Sequence, residues 1–168
     1  MYHLFCPDMM VESLQDINFD ELKEEGVRGI IFDLDNTIIP WDSSDLCPTV
    51  ALMLSEILAK GLKVSIVSNN WHKRVKEIAL QLGLPFVSRA YKPAKTGFRR
   101  ALAAMELEAG ETVVIGDQLF TDVLGGNRLG LRTIWVKPLT AQEFIGTKIH
   151  RRFEKLAVRI LRAKGYMK

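Results

Sequence analysis

Two acidic side chains stand where an apolar, β-branched run near the start of the chain comes to an end. Asp33 and Asp35 lie in the order Asp-Leu-Asp-Asn-Thr, directly after a run that begins at Gly29. A carboxylate that is buried without a partner costs several kcal/mol or more. A hard divalent cation such as Mg²⁺ is a simple partner for two such charges. Because open α/β sheets bind ligands at the carboxyl ends of their strands, the pair predicts a catalytic metal site.

Further polar groups follow the ends of three later apolar runs. Ser68 and Asn69 end the second run, Lys92 follows the third, and Asp117 and Asp122 follow the fourth. The successive gaps are 35 residues from Asp33 to the serine, 24 from the serine to the lysine, and 25 from the lysine to Asp117, and each is long enough for one helix and one strand. Right-handed crossovers in a parallel sheet would bring all these groups to one edge.

Acids, a hydroxyl and an ammonium at one edge fit phosphoryl transfer. Mg²⁺ held by the acids would offset the repulsion between an anionic nucleophile and a phosphate. Ser68 and Lys92 are suited to bind the phosphoryl oxygens. Asp33 is a candidate covalent nucleophile. Asp35 is then the candidate general acid and base.

Each of these groups also has a purely structural interpretation. Ser68 is a good helix N-cap, with the asparagines after it as rivals. Lys95 competes with Lys92 for the phosphoryl-binding role, and a lysine in a loop is commonly just solvated. Asp122 would favour the first turn of the following helix through the helix dipole.

Strand and helix patterns alternate along the chain, which predicts an α/β fold. The predicted strands are Gly29–Leu34, Lys63–Val67, Pro85–Ser88, Thr112–Gly116 and Arg132–Val136. Apolar residues at helical spacing predict helices over Phe19–Glu25, Pro48–Lys60, Trp71–Leu82, Pro93–Glu108 and Leu119–Leu129. We expect a Rossmann-like, doubly wound parallel sheet in the order 3-2-1-4-5, counted over the five predicted strands.

Length and composition favour one compact domain over residues 1–147 with a helical extension over 148–168. The chain has 168 residues, of which 48% are apolar and 26% charged, as in ordinary globular proteins. Cys6 and Cys47 are too few for a disulfide framework and lack metal-binding spacing. The first residues do not follow a signal-peptide pattern, and no apolar run reaches membrane-spanning length. We expect a cytoplasmic protein, with peripheral contact to the inner face of the membrane as an option.

The extension is strongly basic. Residues 148–168 hold eight Lys and Arg and one acid, whereas residues 1–147 hold 15 basic and 19 acidic side chains. Its apolar residues fall on one helical face: Ile149, Phe153, Leu156, Ala157, Ile160 and Leu161. Such a helix can lie on an anionic membrane, or pack on the body or on a partner. No nucleic-acid partner is expected, because aromatics are few and no recognition module is present.

Four motifs in this order resemble those of the haloacid dehalogenase (HAD) superfamily of phosphatases. They are Asp-Leu-Asp-Asn-Thr, the strand end at Ser68, Lys92-Pro93, and Gly-Asp-Gln-Leu-Phe-Thr-Asp, and the resemblance spans residues 29–137. The fourth motif is similar to a narrower branch, the YqeG-type phosphatases of subfamily IIIA. That branch also includes phosphatidylglycerophosphate phosphatases.

The resemblance implies a role for each motif acid. Asp33 would be the nucleophile and a Mg²⁺ ligand, and Asp35 the acid and base, with its backbone carbonyl on the metal. Asp117 would bind Mg²⁺. Asp122 would lie close to the metal or pair with Lys92.

The other motif residues are implied to form the phosphoryl-binding set. Ser68, Asn69 and Lys92 would contact the phosphoryl group, and Thr37 would support the same loop. The gaps between the motifs leave no room for the cap domain that governs substrate choice in this superfamily, so we expect a capless enzyme.

Three hypotheses about function stay open at this point. An open site suits a lipid-headgroup phosphate such as phosphatidylglycerophosphate, and a soluble sugar or nucleotide phosphate is the alternative. A regulatory scaffold for a partner such as a GTPase is a further possibility. A signalling receiver domain is disfavoured, because its accepting aspartate would end the third strand, where this chain has Arg-Ala-Tyr-Lys. The oligomeric state is not predicted.

Overall fold

One sheet of six parallel strands forms the centre of the computed structural model, which describes residues 2–140 and 145–166. Side chains of the last helix are described from Phe153 onward. The strands are β1 Met9–Val11, β2 Gly29–Phe32, β3 Lys63–Val67, β4 Phe86–Val87, β5 Thr112–Gly116 and β6 Arg132–Val136. Their order across the sheet is β1-β6-β5-β2-β3-β4.

The five predicted strands therefore occur in the predicted order, and the α/β doubly wound class is confirmed. The predicted order lacks the sixth strand, β1, which lies at the edge and pairs with β6 through Met9 and Ile134. This strand has three residues, Met-Met-Val, and is too short to show an alternating pattern. Its position is decided by pairing with residues more than 120 positions away in the sequence.

The predicted helices are also present, with small changes at their ends. They are α1 Phe19–Glu24, α2 Pro48–Ala59, α3 His72–Leu82, α4 Lys95–Met105, α5 Leu124–Leu129 and α6 Ile145–Ala163. Asn18 caps α1, since its Oδ1 accepts hydrogen bonds from the backbone N–H groups of Asp20 and Glu21. The segment predicted as helix from Leu119 begins with a π-helical turn, Leu119–Val123, before α5.

Helices cover both faces of the sheet, as expected for a sheet with no solvent-facing side. All four residues of β2 are buried. Ile30 and Phe32 pack into a cluster that includes residues of α1, α2 and α3. Ile31 packs on the opposite face with Phe98 and Leu102 of α4. The loops that follow β2 and β5 lie between these layers, at the carboxyl edge of the sheet.

In the part of helix α6 whose side chains are described, from Phe153 onward, one face packs on the body. Leu161 is buried, and a small apolar cavity is lined by Ala157, Ile160 and Leu161 together with Tyr2, Phe5 and Phe120. Residues on the neighbouring face are exposed: Phe153, Leu156 and Ile160. The predicted apolar face is thus divided between packing and solvent.

The remaining predictions for this extension lie outside the described part of the chain. They concern the side chains of Lys148, Ile149, Arg151 and Arg152, together with Lys168. The division of the chain at residue 147 stays a prediction. Among the helices that the structure describes, none has the length and apolar character needed to cross a membrane.

Candidate active site

The site is assembled where β2 and β5 lie side by side at the carboxyl edge. Phe32 and Ile115 are aligned in these parallel neighbours, and the Asp33 N–H donates to the Ile115 carbonyl at 2.9 Å. Asp33 and Asp117 therefore leave adjacent strands next to each other. The switch in connection direction between these two strands opens the crevice at which such sheets bind ligands.

Three carboxylates meet at this point. Asp33, Asp117 and Asp122 each offer an oxygen, and these atoms all lie within 4.8 Å of one another. All three residues are buried, with exposures of 5%, 0% and 1%. A compact set of carboxylate oxygens is the donor type that hard divalent cations prefer. These residues therefore fit a Mg²⁺-type ion.

Lys92 supplies the positive charge inside the same cluster. Its Nζ lies 2.5 Å from Asp33 Oδ1 and 2.6 Å from Asp122 Oδ1, and the side chain is buried. Burial disfavours the ammonium, but the charges of Asp122 and Asp33 outweigh it and raise the pKa of Lys92 above its ordinary value. The structure therefore brings Lys92, the first of the two candidate lysines, to the acids.

The acids still outnumber the cation within this cluster. Burial raises the pKa of Asp33 to about 7, against the lowering effect of Lys92 and with added repulsion from Asp122 and Asp35. Burial disfavours the charged form of a carboxylate, so binding a proton or a metal ion stabilises such a group. The cluster is thus electrostatically prepared for a cation.

Asp122 is held in place from two sides. Its Oδ2 accepts a hydrogen bond from the Gln118 N–H at 3.1 Å, while Oδ1 faces Lys92. A Cβ on Gly116 would lie only 2.4 Å from Asp122 Cγ. Glycine at this position therefore makes room for the carboxylate.

Asp35 has a separate group of partners. Arg74 donates from Nε to Asp35 Oδ1 at 3.1 Å, and Asn70 donates from Nδ2 to Oδ2 at 3.1 Å. Ser68 Oγ is 3.4 Å from the same Oδ2. The side chain is about one-fifth exposed, so this carboxylate lies at the more open part of the site. Its carboxylate is not among the three that form the metal-type cluster.

Two of the predicted phosphoryl-binding residues, Lys92 and Ser68, contact the acids, and a third, Asn69, contacts Lys92. Ser68 is buried, and its Oγ also accepts a hydrogen bond from the Asn70 N–H at 3.0 Å. The Asn69 amide holds the backbone of Lys92, with bonds of 2.6 Å to its N–H and 3.1 Å to its carbonyl. Thr37 is buried, and its Oγ1 has no hydrogen-bond partner among the described residues.

Four residues that bond to the acids or to the loop after Asp117 were not predicted as site residues from the sequence. Arg74 and Asn70 hold the carboxylate of Asp35. Trp135 donates from Nε1 to the Asp117 carbonyl at 2.8 Å, and Glu154 accepts from the Leu119 N–H at 2.6 Å. Glu154 carried a sequence signal as the single acid in a basic extension, and Asn70 was considered only as a rival helix N-cap.

Two family models match the chain. One, described as HAD-hydrolase-like, matches residues 90–138, and one described as mitochondrial PGP phosphatase matches residues 2–79. The chain is also 44% identical over 163 residues to the probable phosphatase YqeG of Bacillus subtilis, covering 97% of this chain and 95% of that protein. This chain belongs to the YqeG-type phosphatases of the HAD superfamily.

As a YqeG-type phosphatase, this protein is an enzyme. HAD phosphatases generally use a divalent metal, and the cluster of three carboxylates agrees with this. Another relative is phosphatidylglycerophosphate phosphatase 1 of Chlamydomonas reinhardtii, 30% identical over 166 residues, covering 93% of this chain and 60% of that protein. The fold matches the cobalt-bound deoxy-D-mannose-octulosonate 8-phosphate phosphatase of Haemophilus influenzae with a TM-score of 0.56. That structure is 17% identical, and the match covers 85% of this chain and 92% of that one.

Proposed function

We propose that this phosphatase is a Mg²⁺-dependent phosphomonoesterase that works through a phosphorylated Asp33. The observation that carries the proposal is the buried cluster in which the Lys92 ammonium joins Asp33 and Asp122, next to Asp117. A nucleophile, a phosphoryl-binding cation and metal-binding oxygens lie within one crevice. Such a set suits an anionic nucleophile that must approach an anionic phosphate.

In the first half-reaction, an Asp33 carboxylate oxygen forms a bond to phosphorus while the ester P–O bond breaks. Asp35 gives its proton to the departing alcohol oxygen. In the second half-reaction, Asp35 takes a proton from water, the water oxygen attacks the phosphorus, and the Asp33–phosphorus bond breaks. Phosphate leaves, and Asp33 is restored. The hydrogen bonds from Arg74 and Asn70 orient Asp35 for both proton transfers.

Asp33, Asp117 and Asp122 would hold Mg²⁺, with the backbone carbonyl of Asp35 as a further ligand. When bound, Mg²⁺ would offset the electrostatic repulsion between the anionic nucleophile and the anionic phosphate. Lys92 and Ser68 contact the transferring phosphoryl oxygens. Thr37 and Asn69 complete this set, Asn69 chiefly by holding the Lys92 backbone.

Hydrolysis of p-nitrophenyl phosphate with and without Mg²⁺ tests the catalytic proposal. We expect metal-dependent turnover in the native protein and a loss of at least about 1,000-fold in Asp33→Asn, since the covalent route is removed. Asp45→Asn, an exposed acid in the loop before α2, is the matched control and should keep full activity. Full metal-dependent turnover in Asp33→Asn would rule out the aspartyl-phosphate.

We further infer that the substrate is a lipid phosphate of the phosphatidylglycerophosphate type. One matched family model and the Chlamydomonas reinhardtii relative carry that activity in their names. Trp71 and Tyr91 are 70% and 74% exposed in the loops beside Ser68 and Lys92. Arg89 stacks over Trp71, with its guanidinium carbon 4.4 Å from the ring centroid. Exposed Trp and Tyr suit the interface between lipid and water.

The architecture around the crevice also leaves space for a bulky substrate. The chain between β2 and β3 contains one helix, α2, and that between β3 and β4 contains one helix, α3. Neither connection carries an inserted cap domain. A headgroup at a membrane surface could therefore reach the carboxyl edge directly.

The exposed face of α6 supports contact with an anionic membrane. Phe153, Leu156 and Ile160 are 60%, 54% and 43% exposed and follow one another at helical spacing. Lys155 and Arg159 are exposed on the same helix. Apolar side chains that insert into lipid beside basic ones contribute together to binding at an anionic interface. We propose a cytoplasmic protein that lies on the inner face of the membrane.

Two measurements test the lipid proposal. Turnover on phosphatidylglycerophosphate in mixed micelles should exceed turnover on a panel of sugar and nucleotide phosphates. Faster turnover on a soluble phosphate would favour the alternative substrate class. A folded protein inactive on both, with a specific protein partner, would instead favour the scaffold hypothesis.

Sedimentation with phosphatidylglycerol vesicles tests the membrane surface. The triple variant Phe153→Ser, Leu156→Ser and Ile160→Ser should lose binding, whereas phosphatidylcholine vesicles should bind weakly from the start. The matched control replaces three exposed leucines on other helices, Leu52, Leu58 and Leu80, with serine. Equal binding by the native protein and the α6 variant would contradict membrane contact through this face.

A further inference from the structure

Glu154 is a buried acidic residue on the basic C-terminal helix. It lies on α6 among basic residues, yet it is 3% exposed. Its Oε1 accepts a hydrogen bond from the Leu119 N–H at 2.6 Å, across 35 positions of sequence. A carboxylate at a helix surface would ordinarily stay in water, because burying it is costly unless it is well paired. This burial therefore points to a specific use of the carboxylate.

The group that Glu154 contacts begins the segment carrying two of the candidate metal ligands. Leu119 opens the π-helical turn that follows Asp117 and contains Asp122. Gln118 is the N-cap residue of this turn, but its side chain accepts no capping hydrogen bond from the backbone N–H groups of the turn. Backbone N–H groups at a helix start need acceptors, and carboxylates there also interact favourably with the dipole. Glu154 supplies such an acceptor from a different helix.

Side chains hold one backbone group in each of three consecutive residues of this loop. The Asp117 carbonyl accepts from Trp135 Nε1 at 2.8 Å, and the Gln118 N–H donates to Asp122 at 3.1 Å. The Leu119 N–H donates to Glu154. The second of these bonds is local, whereas the first and third tie the loop to β6 and α6. Together they set the direction in which Asp117 and Asp122 leave the backbone.

We propose that Glu154 is a positioning residue for the metal site, so that α6 forms part of the active centre. The hydrogen bond from Leu119 to Glu154 holds the loop that presents Asp117 and Asp122 to a divalent cation. This inference rests on the proposed function only through the metal cluster, and it does not depend on the substrate. Because the same helix exposes Phe153 and Leu156, it also links the face proposed for membrane contact to the metal-binding loop.

Two substitutions separate the hydrogen bond from the charge. Glu154→Gln keeps the acceptor oxygen and the side-chain length but removes the charge. Glu154→Asp keeps the charge but is one methylene too short to reach Leu119. Arg162→Gln changes an exposed charge on the same helix and is the matched control. Mg²⁺ binding is measured by isothermal titration calorimetry and the Mg²⁺ dependence of turnover by p-nitrophenyl phosphate hydrolysis.

We expect the Mg²⁺ dissociation constant to rise at least fivefold in Glu154→Asp. In Glu154→Gln and Arg162→Gln it should stay within about twofold of the native value. Turnover of Glu154→Asp at saturating Mg²⁺ should approach the native rate, because a positioning defect is overcome when the metal is bound. A folded Glu154→Asp with native Mg²⁺ affinity overturns the inference, as does a Glu154→Gln that is impaired equally.

Amide hydrogen exchange in the native protein gives a test that requires no variant to fold. The Leu119 N–H should be strongly protected, and a rapidly exchanging Leu119 N–H would overturn the inference. A native protein that binds Mg²⁺ but hydrolyses no phosphoester would end the proposed function and leave this inference standing. A native protein that does not bind Mg²⁺ would overturn both.

Discussion

The ammonium of Lys92 lies 2.5 Å from a carboxylate oxygen of Asp33, although the two residues are 59 positions apart in the sequence. Both side chains are almost fully buried. The lysine also contacts Asp122, so one cation serves two acids while Asp117 stands beside them. This arrangement makes the fold of the metal-free protein depend on the charge state of the cluster.

Replacing Lys92 with methionine should destabilise the protein and abolish most activity. Removing one partner of a buried ion pair leaves charges uncompensated, which costs about 3–5 kcal/mol of unfolding free energy. We expect a loss of that size in urea denaturation without metal, and a fall in turnover of at least about 100-fold. Lys95→Met, at the first residue of α4, is the control and should change neither quantity appreciably. If Lys95→Met lost stability and turnover while Lys92→Met kept both, Lys95 would be the phosphoryl-binding lysine.

The pKa of Asp33 predicts how the stability of the metal-free protein depends on pH. The pKa is about 7 in the folded protein and near 4 in the unfolded chain, so the folded state binds the proton more tightly. The contribution of Asp33 to the unfolding free energy should therefore fall as pH rises from about 4 to about 7. Thermal denaturation of the native protein and Asp33→Asn over this range measures it.

The difference in stability between the native protein and Asp33→Asn isolates this residue from other titrating groups. Asp33→Asn should gain relative stability as pH rises, since it cannot ionise at that position. The stabilisation of the native protein by Mg²⁺ should grow over the same range, because the ion competes with the proton. A stability difference that does not change with pH would contradict this account.

Gly116→Ala should disturb the metal site by steric means. The new Cβ would lie 2.4 Å from Asp122 Cγ and must push that carboxylate away from Gln118 and Lys92. Overpacking of this kind costs about 1–3 kcal/mol, and we expect Mg²⁺ affinity to fall about tenfold. Gly110→Ala is the control, since its Cβ would meet no atom within 4 Å. Calorimetry with Mg²⁺ and thermal denaturation would detect both effects.

Arg74→Gln should slow catalysis without weakening the metal site. The substitution removes a charge-assisted hydrogen bond that orients Asp35, the proposed acid and base. A loss of about tenfold in kcat, equivalent to about 1.4 kcal/mol, is expected, with an unchanged Mg²⁺ dissociation constant. Lys73→Gln, an exposed neighbour on α3, provides the control. A reduced Mg²⁺ affinity in Arg74→Gln would show that Arg74 acts through the metal ligands instead.

Much of the fold and the content of the site could be predicted from local sequence. Apolar runs that end in Asp33, Ser68 and Asp117 marked buried strands and their carboxyl ends, because burial and turn chemistry depend on neighbouring residues. The alternation of strands and helices then placed these ends on one edge. The edge strand β1 was not predicted, because three residues are too few to show an alternating apolar pattern. Its position depends on pairing with β6.

By itself, the sequence determined the strand ends, the helices and the set of acids, hydroxyl and lysine that could handle a phosphate. Tertiary structure alone decided which of these groups meet. In the packed structure, Lys92 rather than Lys95 is the partner of Asp33. Asp35 pairs with Arg74, and Glu154 of the basic extension contacts Leu119. The physical reason is that periodicity and turn preference act over a few residues, whereas side chains pair across dozens of positions only once the sheet and helices have packed.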